Sequence, residues 1–131
     1  MSVVIKANAN PLIRYGASFA SVANLAANGS VQVFAPASNV AGAIVWNASM
    51  FAQAASGWPG LALIAKSGAA PTLFTDGACL MSAQNAYNNG SNAAEAAALT
   101  MPIFIPVGMG LWFFATNADN IARRSCLYNL L

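Results

Sequence analysis

Short apolar runs, separated by polar, glycine and proline residues, recur along the whole chain. SVQVF at Ser30–Phe34 alternates polar and apolar side chains, whereas GAIVW at Gly42–Trp46 is continuously apolar. A period of two is typical of a half-buried strand, and a short apolar run between turn residues is typical of a fully buried one. The pattern predicts roughly seven to nine short strands. The other predicted strands include Ser2–Lys6, Ile13–Ser21, Leu61–Lys66, Thr72–Thr75, Cys79–Ala83 and Arg123–Leu130.

The longest apolar stretch is TMPIFIPVGMGLWFFAT at Thr100–Thr116, inside the uncharged segment Ala96–Ala118. By length alone this segment is sufficient for a membrane-spanning helix, which needs roughly 20 apolar residues. Two prolines and two glycines interrupt it, and inside a helix each proline costs about 3 kcal/mol and each glycine about 1 kcal/mol. We therefore expect two strands, Ile103–Ile105 and Leu111–Phe114, joined by a tight turn. A membrane helix is the less favoured alternative.

Two dipeptides and one alanine-rich segment complete the prediction of secondary structure. Asn28-Gly29 predicts a hairpin turn and Asp76-Gly77 a second turn. Ala93–Leu99, AAEAAAL, has the composition of a short helix. Short strands at regular spacing, with no heptads and no alternating strand–helix pattern, indicate an all-β fold. We expect one domain over residues 1–131, an antiparallel β-sandwich of jelly-roll-like form with at most one short helix.

The composition is unusual for such a domain, because 58% of the residues are hydrophobic and only 6% are charged. Ordinary soluble domains have about 25% charged residues. A sandwich with so few charges exposes Ala, Ser, Asn, Thr and Gly, and it lacks the repulsion that keeps monomers apart. This surface favours packing against copies of the same chain or against a larger assembly.

Charge and the N-terminal sequence restrict partners and location. The net charge of +2 is carried by scattered basic residues, whereas a nucleic-acid binder needs a dense basic stripe. We therefore expect no nucleic-acid partner. The N-terminal segment has no apolar core of signal-peptide length, so export is not indicated. For the adjacent Arg123 and Arg124 we expect a solvated strand edge or an interface contact.

Side chains that carry common enzyme chemistry are few. The chain has no histidine, which removes the commonest general base and metal ligand. Asp76, Glu95 and Asp119 are isolated along the sequence, and Asp76 and Asp119 have the surroundings of turn formers. Cys79 and Cys126 match no metal-ligand spacing, and burial as small apolar residues is expected for both, with a disulfide left open. We predict no enzyme activity, no cofactor and no metal site.

Aromatic residues are the other candidates for binding. Trp46 and Trp112 lie in apolar runs, where core packing is expected. Trp58 in SGWPG and Tyr87 in the polar loop QNAYNNGSN could instead stack on a sugar or a partner. The amides in that loop, Asn85, Asn88 and Asn89, complete a candidate glycan- or partner-binding set.

The PxGxG turn that leads into an aromatic strand, Pro106–Phe114, and the Ala/Asn/Gly-rich loops resemble small virion proteins of tailed bacteriophages. The resemblance implies a capsid decoration or cement protein, assembled as a dimer or trimer that bridges major capsid subunits, with a virion location. Terminal strands Ser2–Pro11 and Arg123–Leu131 are the expected contacts, together with Arg14, Arg123 and Arg124. The alternatives are a glycan-binding adhesion module of a head fibre or tail tip, and a small membrane protein.

Overall fold

The computed structural model describes residues 17–54, 60–84 and 94–131, and these form two antiparallel sheets packed face to face. Nine strands lie in the described part of the chain: β1 Ala17–Ser21, β2 Gly29–Phe34, β3 Ala43–Ala54, β4 Gly60–Ser67, β5 Ala78–Gln84, β6 Ala94–Leu99, β7 Ile103–Ile105, β8 Met109–Ala115 and β9 Asp119–Leu130. The front sheet has the strand order β1-β9-β3-β6, and β7 also pairs with β3 in this sheet. The back sheet has the strand order β2-β8-β4-β5.

The pairings follow a long hairpin that has been wrapped into a sandwich. Strand β1 pairs with β9, β2 with β8, β3 with both β6 and β7, and β4 with β5. Two further pairings, β9 with β3 and β8 with β4, join these units into the two sheets. This is the jelly-roll arrangement, in which β6 and β7 together occupy one strand position. The expectation of an antiparallel β-sandwich is confirmed.

The core lies between the sheets and follows the period-two alternation of the long strands. In β3, Val45, Ala48, Met50 and Ala52 are buried, while the residues between them face the other way. The register shifts between Val45 and Asn47, so Trp46 occupies a bulge. The bulge moves the side chains that follow it to the opposite face of the sheet. The apolar run GAIVW and the alternating run after it can therefore belong to one continuous strand.

The back sheet is buried on both faces where β4 and β8 run side by side. Phe113, Leu61 and Leu63 face the front sheet, whereas Phe114, Ala62 and Ile64 face away from it and are also fully buried. The loop between β4 and β5 covers this second face, with Phe74 against the edge of the Phe114 ring. Trp112 is buried on the same face, and its ring lies with Pro36 against Gly110.

The long apolar stretch Thr100–Thr116 forms two strands, β7 and β8, as predicted. The connecting turn is closed by the Met109 N–H, which donates to the Pro106 carbonyl at 3.3 Å, with Gly108 at φ +80°. The two strands belong to different sheets, so the turn carries the chain from the front sheet to the back sheet. Among the described residues, no helix has the length and apolar character of a membrane span.

Three predictions of local structure are wrong. Ala94–Leu99 is the edge strand β6 and not a helix, because pairing with β3 overrides the weak helix preference of alanine. Thr72–Thr75 is part of a turn and not a strand, since the Asp76 carboxylate accepts the Thr72 and Leu73 N–H groups at 2.7 and 2.9 Å. Asn28-Gly29 does form a turn, but the strands on either side of it lie in different sheets.

Buried polar groups fix the loops at the two ends of the sandwich. At one end, the Asn39 amide donates to the Pro106 and Met109 carbonyls at 2.7 and 2.9 Å, which joins the β2–β3 loop to the β7–β8 turn. At the other end, a buried ion pair between Arg124 and Asp119 holds the β1–β2 loop. Arg124 also donates to the Ala23 carbonyl at 3.1 Å, and Asp119 accepts the Leu25 N–H at 3.2 Å.

Candidate functional site

The front sheet has an exposed surface on the side that faces away from the core. It is formed by the side chains of β1, β9, β3 and β6 that point away from the core, and most of them are small or uncharged. We call this surface the outer face. Its residues include Ser18, Ala20, Asn47, Ser49, Phe51, Gln53, Ala94, Ala96, Ala98, Ile121, Arg123, Ser125 and Leu127.

The strand register gives the outer face its flat centre. Ala20, Ser125, Ser49 and Ala98 lie opposite one another across four adjacent strands. The hydroxyl oxygens of Ser49 and Ser125 are 2.8 Å apart, so these two side chains satisfy each other within the sheet. A row of residues this small leaves the backbone accessible to close approach by another surface.

Arg123 is the single charged residue on the outer face among the described residues. It lies opposite Phe51 across the β9–β3 pair. None of the three acidic residues of the chain is placed to pair with it. Asp119 is buried beside Arg124, Asp76 is bonded within its own turn, and Glu95 alternates with the outward-facing alanines of β6. The face therefore carries one positive charge in an otherwise neutral surface.

An open cavity of about 320 Å³ lies on the outer face beside the end of β1, next to the Ser49–Ser125 pair. It forms where β1 ends at Ser21, opposite Arg124, while β9 extends to Asp119 with β3 as its one remaining neighbour in the described part of the chain. Its lining is mostly apolar, and the serine hydroxyls and the Arg123 side chain supply the polar part. The residues around it are Ala20, Ser21, Val22, Ser49, Arg123, Arg124 and Ser125.

A second exposed apolar surface lies at the end of the sandwich that Asn39 holds together. Val40, Phe104, Val107 and Leu131 are each more than half exposed there. Backbone bonds bring them together, since the Gly108 N–H donates to the Asn39 carbonyl and the Leu131 N–H donates to the Gly42 carbonyl, both at 2.9 Å. We call this group the apolar end.

The two adjacent arginines occupy opposite faces of β9, which pairs on both sides and is not a sheet edge. Arg123 is exposed. Arg124 is buried, and its guanidinium is bound to Asp119 and to the Ala23 carbonyl. The expectation of a solvated strand edge is therefore wrong for Arg124. Asp119, expected to be a turn former, is instead a buried ion-pair partner at the start of β9. Both side chains stabilise the fold.

The cysteines are both free and lie on different sheets. Cys126 is buried, as predicted, and burial raises the pKa of its thiol to about 12. Cys79 is exposed on the back sheet, against the prediction of burial, and its thiol donates to the Met81 carbonyl at 3.3 Å. The two thiols therefore do not form a disulfide in this structure.

Several predicted site residues lie outside the described part of the chain. They are Arg14, Trp58, Asn85, Tyr87, Asn88 and Asn89. The segment Ser2–Pro11 also lies outside it. Trp46 is half-buried and its indole N–H donates to the Asn129 side chain at 2.6 Å, while Trp112 is buried as expected.

No family model, curated protein or solved structure was found to match this chain. The outer face was not among the sites predicted from the sequence. The feature that points to the outer face is the alternation of exposed and buried residues in Asn47–Ala54, together with the same alternation in Ile121–Cys126. The sequence shows each alternation separately, but the face becomes visible only when the two strands are known to be neighbours.

Proposed function

We propose that this protein is a non-enzymatic structural subunit of a virion, a capsid decoration or cement protein that bridges capsid subunits as a homo-oligomer. The observation that carries the proposal is the pair of exposed surfaces with few charges, the outer face with Arg123 alone and the apolar end. A bridging subunit needs one surface for its own copies and another for the shell. These two surfaces are separate, and each is built on hydrogen-bonded strands or turns of the sandwich.

The near absence of charge on the outer face supports a role in permanent assembly. Exposed sheet faces and edges of monomeric proteins usually carry charged side chains that oppose association. Obligate interfaces are more apolar than ordinary surface and are depleted in charged residues at their centre. Along β3 and β9 the outer face shares the depletion in charge, since Arg123 is the one charged residue among the outward side chains of these two strands.

The fold agrees with the proposal but does not select it. Jelly rolls build viral capsids and also form lectin and cupin domains, so the architecture alone is shared by several functions. The two exposed surfaces, and not the fold, therefore favour a structural subunit.

The experiment is incorporation into particles. Tagged protein is supplied in cells that produce the virus, particles are purified on a density gradient, and the tagged chain is quantified against the major capsid protein by mass spectrometry. We expect a fixed ratio of the two proteins across the particle peak. Failure of the wild-type chain to sediment with particles would contradict the proposal.

A matched pair of variants tests the apolar end. Val107→Asp introduces a charge into it, whereas Ala27→Asp places the same charge in an exposed loop at the opposite end of the sandwich. We expect Val107→Asp to lower incorporation at least about tenfold, since burying an unpaired charge at an interface is costly. Ala27→Asp should incorporate like the wild type. Equal incorporation of the two variants would remove the apolar end from the proposed contact.

A further inference from the structure

We infer that the outer face is the interface of a two-fold dimer, in which the front sheets of two copies pack face to face. This inference rests on the proposed function, since it assigns one of the two surfaces proposed above to a specific partner. The partner is a second copy of this chain. Area, charge and the difference between the two sheets support it.

The two sheets differ in what covers their outward surfaces. The outward side of the back sheet is covered by the chain itself, with the β4–β5 loop over Ile64 and Phe114. On the front sheet, the outward side chains of β3 and β9 remain exposed, including Phe51, Ile121 and Ser49. A sheet that packs on only one face normally has a charged or strongly polar second face. The second face of the front sheet is polar at about half of its outward positions, but Arg123 is its one charged residue in the described part of the chain, and this scarcity of charge suits a surface that becomes buried.

The size of the outer face matches a dimer interface. β3 and β9 are each 12 residues long, and β1 and β6 add 5 and 6 residues. With a rise of about 3.4 Å per residue and about 4.8 Å between strands, the sheet covers about 600 Å² in projection. Side-chain relief raises the accessible area above this value, toward the roughly 800 Å² per partner that stable interfaces bury.

The position of Arg123 makes self-association compatible with the one charge on the face. Two copies bring two arginines and no free carboxylate, so both guanidinium groups must stay in water. Arg123 is exposed and borders the open cavity beyond the end of β1, on the side of β9 where β1 no longer pairs with it, so its long side chain can reach solvent there. The Ser49–Ser125 pair lines the same cavity, one outward position away from Arg123, and its hydroxyls already bond to each other and lose little on burial.

Because the same surface serves both copies, the interface is isologous and closes as a dimer. Flat rows of alanine and serine permit the sheets to approach to about 10 Å, the usual spacing of packed sheets. Light scattering after size exclusion, at protein concentrations of about 1 to 100 µM, measures the mass. We expect a dimer. A monomer throughout this range, or a trimer, would overturn the inference.

Two serine variants localise the contact. Ser49→Lys adds a charge at the centre of the outer face, and Ser82→Lys adds the same charge at an exposed position of the back sheet. We expect the first to weaken dimerisation at least about a hundredfold and the second to leave it unchanged. Far-ultraviolet circular dichroism of each variant confirms that it is folded. Equal dimerisation of the two folded variants would show that the contact lies elsewhere.

Cross-linking gives an independent measurement that does not depend on breaking the interface. Ser49→Cys and Ser82→Cys are each made in a Cys79→Ser background, where the remaining native thiol of Cys126 is buried. A short bismaleimide should join two copies of the Ser49→Cys variant and should leave the Ser82→Cys variant as single chains. The reverse pattern would overturn the inference.

The dimer and the virion role can fail separately. If the wild-type chain sediments with particles but is a monomer in solution, the dimer is wrong while the virion role stands. If the chain is a dimer that does not sediment with particles, the virion role is wrong while the dimer stands.

Discussion

The buried ion pair between Asp119 and Arg124 is predicted to contribute a large part of the stability. Only 1% of each side chain is exposed, and the pair fixes the β1–β2 loop through Ala23 and Leu25. Asp119→Asn retains an acceptor for the Leu25 N–H but leaves the guanidinium buried without its counter-charge. Breaking a buried pair in this way costs about 3–5 kcal/mol, whereas an exposed pair contributes at most about 1 kcal/mol.

This loss is large compared with the roughly 5–15 kcal/mol by which most domains are stable. For a chain of this length it corresponds to a fall in melting temperature of about 10–20 °C. Urea unfolding, followed by tryptophan fluorescence at one fixed protein concentration, measures the free energy of unfolding. The concentration is fixed because dimerisation itself changes apparent stability. The difference between wild type and Asp119→Asn should persist in about 0.5 M salt, since a buried pair is poorly screened.

The double variant Asp119→Asn/Arg124→Met provides the control. It removes both charges and keeps the acceptor for Leu25, so it should recover most of the stability that the single variant loses. A single-variant cost below about 1 kcal/mol would show that water screens the pair. A double variant as unstable as the sum of its two single variants would show that the cost arises from packing and not from the unpaired charge.

Three further predictions concern single residues. At pH 8 a maleimide should modify Cys79 rapidly and Cys126 only after unfolding, because burial raises the pKa of the Cys126 thiol to about 12; fast modification of both thiols in the folded protein would contradict this. Gly110→Ala should lower the free energy of unfolding by about 3 kcal/mol, since its Cβ would meet the Phe34 carbonyl at 2.8 Å. Gly108→Ala places its Cβ in open space at φ +80° and should lower it by about 1 kcal/mol. A larger loss for Gly108→Ala than for Gly110→Ala in urea unfolding would refute this prediction. Hydrogen bonds from the Thr72 and Leu73 N–H groups lower the pKa of the Asp76 carboxyl below 3.8. The ionised carboxylate therefore stabilises the folded protein above that pH, and this contribution disappears as the pH falls. A difference in free energy of unfolding between wild type and Asp76→Asn that is unchanged at low pH would count against this prediction.

The local sequence pattern was sufficient to predict those segments whose structure does not depend on the rest of the chain. The glycines and prolines of Thr100–Thr116 exclude a continuous helix in any context, and the β7–turn–β8 arrangement follows from that. The alternation in Ser30–Phe34 and the apolar run of Leu61–Lys66 likewise specify strands. The helix prediction for Ala93–Leu99 failed for the opposite reason. Alanine prefers a helix only weakly, and the edge of β3 offers six residues of backbone pairing in exchange.

Composition, strand period and turn residues are local properties, so they are enough to indicate a β-sandwich with few charged residues to place on its surface. Which residues share a face depends instead on how distant strands pair. Arg123 and Arg124 are chemically identical neighbours, yet one is exposed on the outer face and the other is buried against Asp119. A period of two places them on opposite sides of β9, but which side becomes core depends on β1 and β3, which come from distant parts of the chain.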